Sequence, residues 1–96
     1  RPLPEGLTAL AERHPLIGDV RGLGLFMGVE LVRDPDTLEP ADREIGTIVE
    51  AMKADGVLLS TEGPHHNVLK IKPPLAISEA ECERFLDTLD EVLARF

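Results

Sequence analysis

The sequence predicts a two-layer α/β domain of the α+β kind: a small mixed, largely antiparallel sheet with helices on one face. Three observations carry this expectation. Apolar residues recur at helical spacing in three segments, extended segments rich in aliphatic residues lie between them, and Gly or Pro punctuates the junctions. The resulting order is helix, two extended segments, helix, two strands, helix, with no internal repeat and no low-complexity stretch. One sheet covered on one face by helices is the economical arrangement for that order.

The first segment, Glu5 to Arg13, places Leu7, Leu10 and Ala11 at helical spacing. His14-Pro15 stops it, because a residue before proline avoids the α region. Gly18 to Val32 reads as extended, with Gly22-Leu23-Gly24 marking a turn and a point of close backbone approach. A polar loop containing Asp34-Pro35-Asp36 and Pro40 follows. Asp42 is then placed to cap a helix whose apolar residues are Ile45, Ile48, Val49 and Met52, and Gly56 is its expected stop. Val57 to Ser60 and Asn67 to Ile71 read as two strands of a wide hairpin joined by Thr61 to His66. Pro73-Pro74 ends the second strand, since neither proline can donate to a ladder. Ser78 with Glu81 three residues on has the form of a capping box, and the last helix runs from about Glu79 to Ala94. Its stripe is Cys82, Phe85, Leu86, Leu89, Val92 and Leu93.

Strand alternation divides these side chains between two faces. Leu25, Met27, Val29 and Leu31 go to one face, with Leu69 and Ile71, and Phe26, Gly28, Glu30 and Val32 go to the other, with Val68, Lys70 and Lys72. The second face is too apolar at Phe26, Val32 and Val68, and too selectively charged at Lys70 and Lys72, for ordinary solvent surface. Another domain is expected to cover it.

Composition limits the partners. The 96 residues make one domain with a modest core, and 18 acidic against 10 basic residues give a net charge of −8. That balance, with no basic run and few aromatic side chains, argues against nucleic acid. No apolar stretch is long enough for a membrane span and no secretory signal pattern opens the chain, so neither membrane insertion nor export is expected. The one cysteine, Cys82, lies on an apolar helical stripe and reads as a buried small hydrophobe in a reducing cytoplasm. The opening at Arg1, with Pro2 and Pro4 behind it, resembles an interdomain linker, and the chain is expected to be cut from a longer one.

Few residues have the form of a reactive constellation. There is no P-loop, no dinucleotide-binding glycine motif, no HExxH, no GxSxG and no cysteine pair. His65-His66 lacks a third ligand at a convincing spacing, so a solvated or substrate-facing loop is preferred there to a metal site. His14 reads as a boundary residue. Arg21 could fork onto a carboxylate or phosphate, but pairing with Asp19 or Glu30 across the sheet is favoured. Lys70 and Lys72 alternate on a strand, so both ammonium groups emerge on one face. They could hold an anion together, or simply be solvated lysines that protect a strand edge.

Two blocks of the chain resemble the small domain of class III aminotransferases. One is His14-Pro-Leu-Ile-Gly-Asp-Val-Arg-Gly-Leu-Gly-Leu-Phe-Met-Gly-Val-Glu-Leu-Val32; the other comprises Gly56-Val-Leu-Leu-Ser-Thr61 and Asn67-Val-Leu-Lys-Ile-Lys-Pro-Pro-Leu75 before the capped last helix. The resemblance covers about Pro15 to the end. It implies that residues 1–96 are the C-terminal small domain of a fold-type I enzyme. In such enzymes pyridoxal phosphate forms a Schiff base with a lysine of a large domain, usually within a homodimer. That lysine is not matched here: Lys53 lies on a predicted helix, and Lys70 and Lys72 match the small-domain block. The chain alone is therefore expected to be catalytically silent, its partners being the large cofactor-binding domain and a small-molecule substrate.

One departure bears on the substrate. The position of Lys70 resembles an arginine that clamps the α-carboxylate in many relatives, and a lysine ammonium loses the bidentate grip of a guanidinium. The blocks around Leu59 to Pro64 and Asn67 to Pro74 look most like the branch of ethanolamine-phosphate and phosphohydroxylysine phospho-lyases. The resemblance thus implies elimination of phosphate from an amino-alcohol phosphate, with Lys70 and Lys72 as substrate-binding residues. A class III ω-amino acid or amine transaminase is the alternative, and a non-enzymatic α/β binding module is the second.

Overall fold

A computed structural model describes residues 3–23, 26–54, 56, 59–62, 67–72 and 78–96. The chain runs α1 (Leu3–Arg13), β1 (Ile17–Leu23), β2 (Phe26–Asp34), β3 (Glu39–Pro40), α2 (Asp42–Ala54), β4 (Ser60–Glu62), β5 (Val68–Ile71) and α3 (Glu79–Leu93). The sheet order is β1-β2-β5-β4, with the short β3 also pairing with β2. Every pair among the described strands is antiparallel, so the expected mixed sheet is wholly antiparallel here.

The two faces separate as alternation requires. Val29 and Leu31 of β2 and Leu69 and Ile71 of β5 join one buried cluster with Leu7 and Leu10 of α1, Ile48 and Met52 of α2, and Leu86 and Leu89 of α3. All three helices therefore cover the same face. Fully burying side chains of this size contributes roughly 1.5–3 kcal/mol each, before conformational entropy is subtracted. Gly6 lets α1 approach α3 closely, because a methyl group there would collide with Cδ1 of the buried Leu86.

Several local expectations shift. The first helix begins at Leu3 rather than Glu5. Asp42 is the first residue of α2 rather than its cap: the carbonyl of Ala41 accepts the N–H of Ile45, and the Asp42 carboxylate takes Arg33 Nη2 at 2.8 Å. Gly56 has φ +85° and its N–H bonds the carbonyl of Lys53, the left-handed stop expected after this helix. The strand expected at Val57 to Ser60 instead starts at Ser60 and takes in Thr61 and Glu62, part of the expected loop. Pairing with β5, Ser60 opposite Lys70 and Glu62 opposite Val68, decides that boundary, and apolar character does not. Val57 and Leu58 lie outside the described residues, as do Pro73 and Pro74. Ser78 caps α3, its Oγ accepting the N–H of Glu81 at 3.1 Å and donating to Glu81 Oε1 at 3.0 Å.

Two polar clusters tie the layers together. Arg33 of β2 donates to Glu39 at 3.0 Å, Asp42 at 2.8 Å and Glu44 at 2.9 Å, joining β2, β3 and the first turn of α2. The guanidinium holds the Glu44 carboxyl below the usual carboxylate range. At the other end, His14 Nε2 stands 2.6 Å from Asp90 Oδ1, and Arg13 reaches Asp90 Oδ2 at 3.2 Å, so the end of α1 is fastened to α3. These hydrogen bonds, His14 first, keep the Asp90 carboxyl below its ordinary range.

The β2–β3 connection contains a strained position. Leu38 has φ 60° and is 56% exposed, while its N–H bonds the carbonyl of Asp34 at 2.8 Å. A left-handed conformation costs an L-residue roughly 1–2 kcal/mol, and glycine avoids that cost at the expense of a freer unfolded chain. Leu38→Gly in the full-length protein is expected to raise stability by about 0.5–1 kcal/mol, read from denaturant midpoints; a lower midpoint would contradict the strain. A second outcome concerns pH. Because the folded-state pKa of Asp90 is depressed, its stabilisation is complete above the unfolded carboxylate range and is lost as pH falls through the folded value. The stability advantage of wild type over Asp90→Asn should therefore be full near neutrality and shrink on acidification. A difference that stays constant from neutral to acid pH would show that the carboxylate's charge is irrelevant.

Candidate functional site

The face opposite the helices carries the charged residues. Directly paired residues in an antiparallel sheet project to the same side, and one such row crosses all four strands as Arg21, Gly28, Lys70 and Ser60. A neighbouring row runs Asp19, Glu30, Val68 and Glu62. Phe26 stands two residues before Gly28, on the same face.

Arg21 is occupied within this face. Its guanidinium donates to Asp19 Oδ2 at 2.8 Å and to Glu30 Oε1 at 3.3 Å, and both carboxylates, Asp19 first, raise its already high pKa. The pairing expected across the sheet is thus observed. It turns the carboxylates of Asp19 and Glu30 towards Arg21.

Lys70 and Lys72 converge. Their Nζ atoms lie 4.1 and 5.7 Å from the centroid of the Phe26 ring, within the range at which an ammonium is attracted to an aromatic face. Gly28 stands opposite Lys70 in the register. Two cations thus lie within reach of one ring, and Lys70 makes a further interaction besides. Alternation alone places Phe26 on the face of both lysines but does not give their approach to its ring.

The expected cover of this face is partly supplied by the chain itself. Val32 and Val68 are 0% and 3% exposed without any other domain. For Val32 the reason lies in a register irregularity beside Gly18, which brings the β1 backbone so close that a Cβ on Gly18 would lie 3.0 Å from the Val32 methyl groups. Phe26 remains half-buried. Asn67 is a buried polar residue at the start of β5, and its Nδ2 donates to the carbonyl of Leu31 at 2.8 Å. It anchors the strand that bears both lysines, a role that no sequence pattern marked.

The remaining candidates do not join this group. His14 is at the α1–α3 contact, and Cys82 is buried on α3. His65 and His66 lie outside the described residues. Among the described residues no group of three His, Cys, Asp or Glu side chains could hold a metal ion. Lys53 is exposed in the last turn of α2, far in sequence and in element from the paired lysines. The described residues enclose no lysine in a closed pocket and do not fit a pyridoxal phosphate cradle.

Known proteins with this architecture are similar along nearly the whole chain. The class-III aminotransferase family model matches residues 1–93. The ethanolamine-phosphate phospho-lyase homolog 1 of Caenorhabditis elegans is 46% identical over 92 residues, covering 95% of this chain and 20% of that protein. A solved phospholyase from Arthrobacter in complex with phosphoethanolamine superposes with a TM-score of 0.89 at 35% identity, covering 98% of this chain and 22% of the other. An amine transaminase from an uncultivated Pseudomonas species, solved in its PLP-bound form, gives 0.80 at 32% identity, with 97% and 21% covered. The chain thus spans about a fifth of the length of these relatives. The family and its PLP-bound member imply pyridoxal phosphate as the family's cofactor. On the match of residues 1–93, the chain belongs to the class-III aminotransferase family.

Proposed function

We propose that residues 1–96 are the C-terminal small domain of a pyridoxal-phosphate-dependent phospho-lyase, a cytoplasmic homodimer that eliminates phosphate from an amino-alcohol phosphate such as phosphoethanolamine. The observation that carries this reading is the pair of ammonium groups, Lys70 and Lys72, over the Phe26 ring. The likenesses to a phospho-lyase homolog and to a phospholyase holding phosphoethanolamine support it. A single buried cysteine accords with a reducing compartment.

The chemistry divides between cofactor and protein. Pyridoxal phosphate, bound by the large domain, supplies the electron sink that lets the carbon bearing the amine give up its proton. Phosphate then leaves from the neighbouring carbon with the electrons of the broken C–O bond, and addition of one water releases an aldehyde and ammonia. Lys70 and Lys72 bind the phosphate group, orient it for departure and offset its charge as it leaves. Arg21, held by Asp19 and Glu30, stiffens the adjoining row without presenting its own guanidinium. This small domain supplies no Schiff-base lysine and is catalytically silent alone.

A class III ω-amino acid or amine transaminase is the second reading, favoured by the likeness to an amine transaminase. The two are separated by giving the full-length enzyme phosphoethanolamine without any keto acid. Equal release of inorganic phosphate and aldehyde is expected; amine transfer to pyruvate with no phosphate released would establish the transaminase instead. Lys70→Ala should raise KM for phosphoethanolamine on the order of tenfold, the loss of one charge-assisted contact. An unchanged KM would remove Lys70 from the site.

A further inference from the structure

We infer that Asn67 is a positioning residue that chooses between two registers of β5 on β2, and so decides whether Lys70 or Lys72 stands opposite Gly28. Its effect on turnover rests on the reading of these lysines as substrate-binding residues, whereas the register itself can be measured without substrate. Alternation fixes which face a residue takes, but a slip of two residues keeps every side chain on its face. In the observed register Met27, Gly28, Val29 and Glu30 stand opposite Ile71, Lys70, Leu69 and Val68. Sliding β5 by two residues would set Ile71 opposite Val29, Leu69 opposite Leu31 and Val68 opposite Val32, each apolar against apolar. Lys72 would then stand opposite Gly28, and Lys70 opposite Glu30. Pro73, which lacks an N–H, would meet only the terminal rung, opposite Met27. Hydrophobic patterning therefore does not separate the two registers.

Asn67 does separate them. Among the described residues it is the buried polar side chain, 5% exposed. Its Nδ2 donates to the carbonyl of Leu31 at 2.8 Å, and its own carbonyl accepts the N–H of Leu31 at 2.8 Å. In the slipped register residue 67 leaves Leu31 and comes opposite Arg33, at the exposed end of β2. A neutral carboxamide can remain buried beside Leu31 because it donates to the carbonyl; a carboxylate in its place has nothing to donate and would be buried against an oxygen. The amide thus ties one residue of β5's entry to one residue of β2, and so acts on register rather than on face. A single buried Asn fixes register between paired helices for the same reason. The tie holds the strand whatever charges surround Lys70, which makes a further interaction besides Phe26 and has Glu62 in the next row.

The test uses the full-length protein with cysteine pairs that report register by disulfide closure under mild oxidation. Glu30→Cys with Val68→Cys marks the observed register, and Glu30→Cys with Lys70→Cys the slipped one; both pairs lose the same contact to Arg21. With Asn67 in place only the first pair should close. Asn67→Asp should move closure to the second pair near neutral pH, where the carboxylate is drawn out of the core towards Arg33. Asn67→Ala, which removes the donor without adding charge, should let both pairs close, and keeps the test open if the aspartate variant does not fold. Turnover, whether phosphate elimination or amine transfer, then links register to substrate. In the wild type Lys70→Ala should raise KM on the order of tenfold and Lys72→Ala less, and in the Asn67→Asp background that order should reverse, which mere loss of stability would not produce. Closure of the first pair alone in both Asn67 variants, or of both pairs in the wild type, would overturn the choice of register. A shifted register in which Lys70→Ala keeps the larger effect would refute its link to substrate. If the cysteine pairs behave as expected but neither lysine substitution moves KM in the wild type, the substrate-binding reading of the lysines fails and the role of Asn67 in register stands.

Discussion

The register between β2 and β5 is the constraint on which the rest depends. Side chains alternate along a strand, so a slip of one residue would turn Lys70 and Lys72 into the helical core and expose Leu69 and Ile71. Burying two ammonium groups without partners is far too costly for a domain of this size. Polar contacts at the end of the pairing reinforce that preference. The N–H of Leu31 bonds the carbonyl of Asn67 at 2.8 Å, and the carbonyl of Leu31 accepts both Asn67 Nδ2 at 2.8 Å and the N–H of Ala41 at 3.0 Å. One residue of β2 thereby fixes the entry to β5 and the entry to α2.

Helix packing follows from that fixed sheet. With Val29, Leu31, Leu69 and Ile71 committed to one face, the apolar stripes of all three helices have one surface on which to close. Gly6 sets how near α1 comes to α3, and the His14–Asp90 contact holds their far ends. Arg33 performs the corresponding task at β3 and α2 by binding three carboxylates from those elements. A chain with a net charge of −8 can tolerate acidic residues so close together because a single guanidinium organises them.

The opposite face obeys a different rule. Its charges are sorted, so that Asp19 and Glu30 turn to Arg21 while the two lysines lean over Phe26.

The sequence by itself determined the helices, the antiparallel character of most of the sheet and which residues share a face, because periods of 3.6 and 2 are written directly in the order of side chains. It marked the Gly56 stop and the Ser78 cap, since those depend on one residue and its near neighbours. It also marked Lys70, Lys72 and the pairing of Arg21. Other features were set by residues far apart in the chain. Ser60–Glu62 became a strand through its ladder with β5, and Val32 was buried by the close backbone of β1 at Gly18 rather than by a second domain. The convergence of both lysines on Phe26 joins residues more than forty positions apart. Only tertiary structure could decide such distances, because a local pattern gives the direction of a side chain and not what it meets across the sheet.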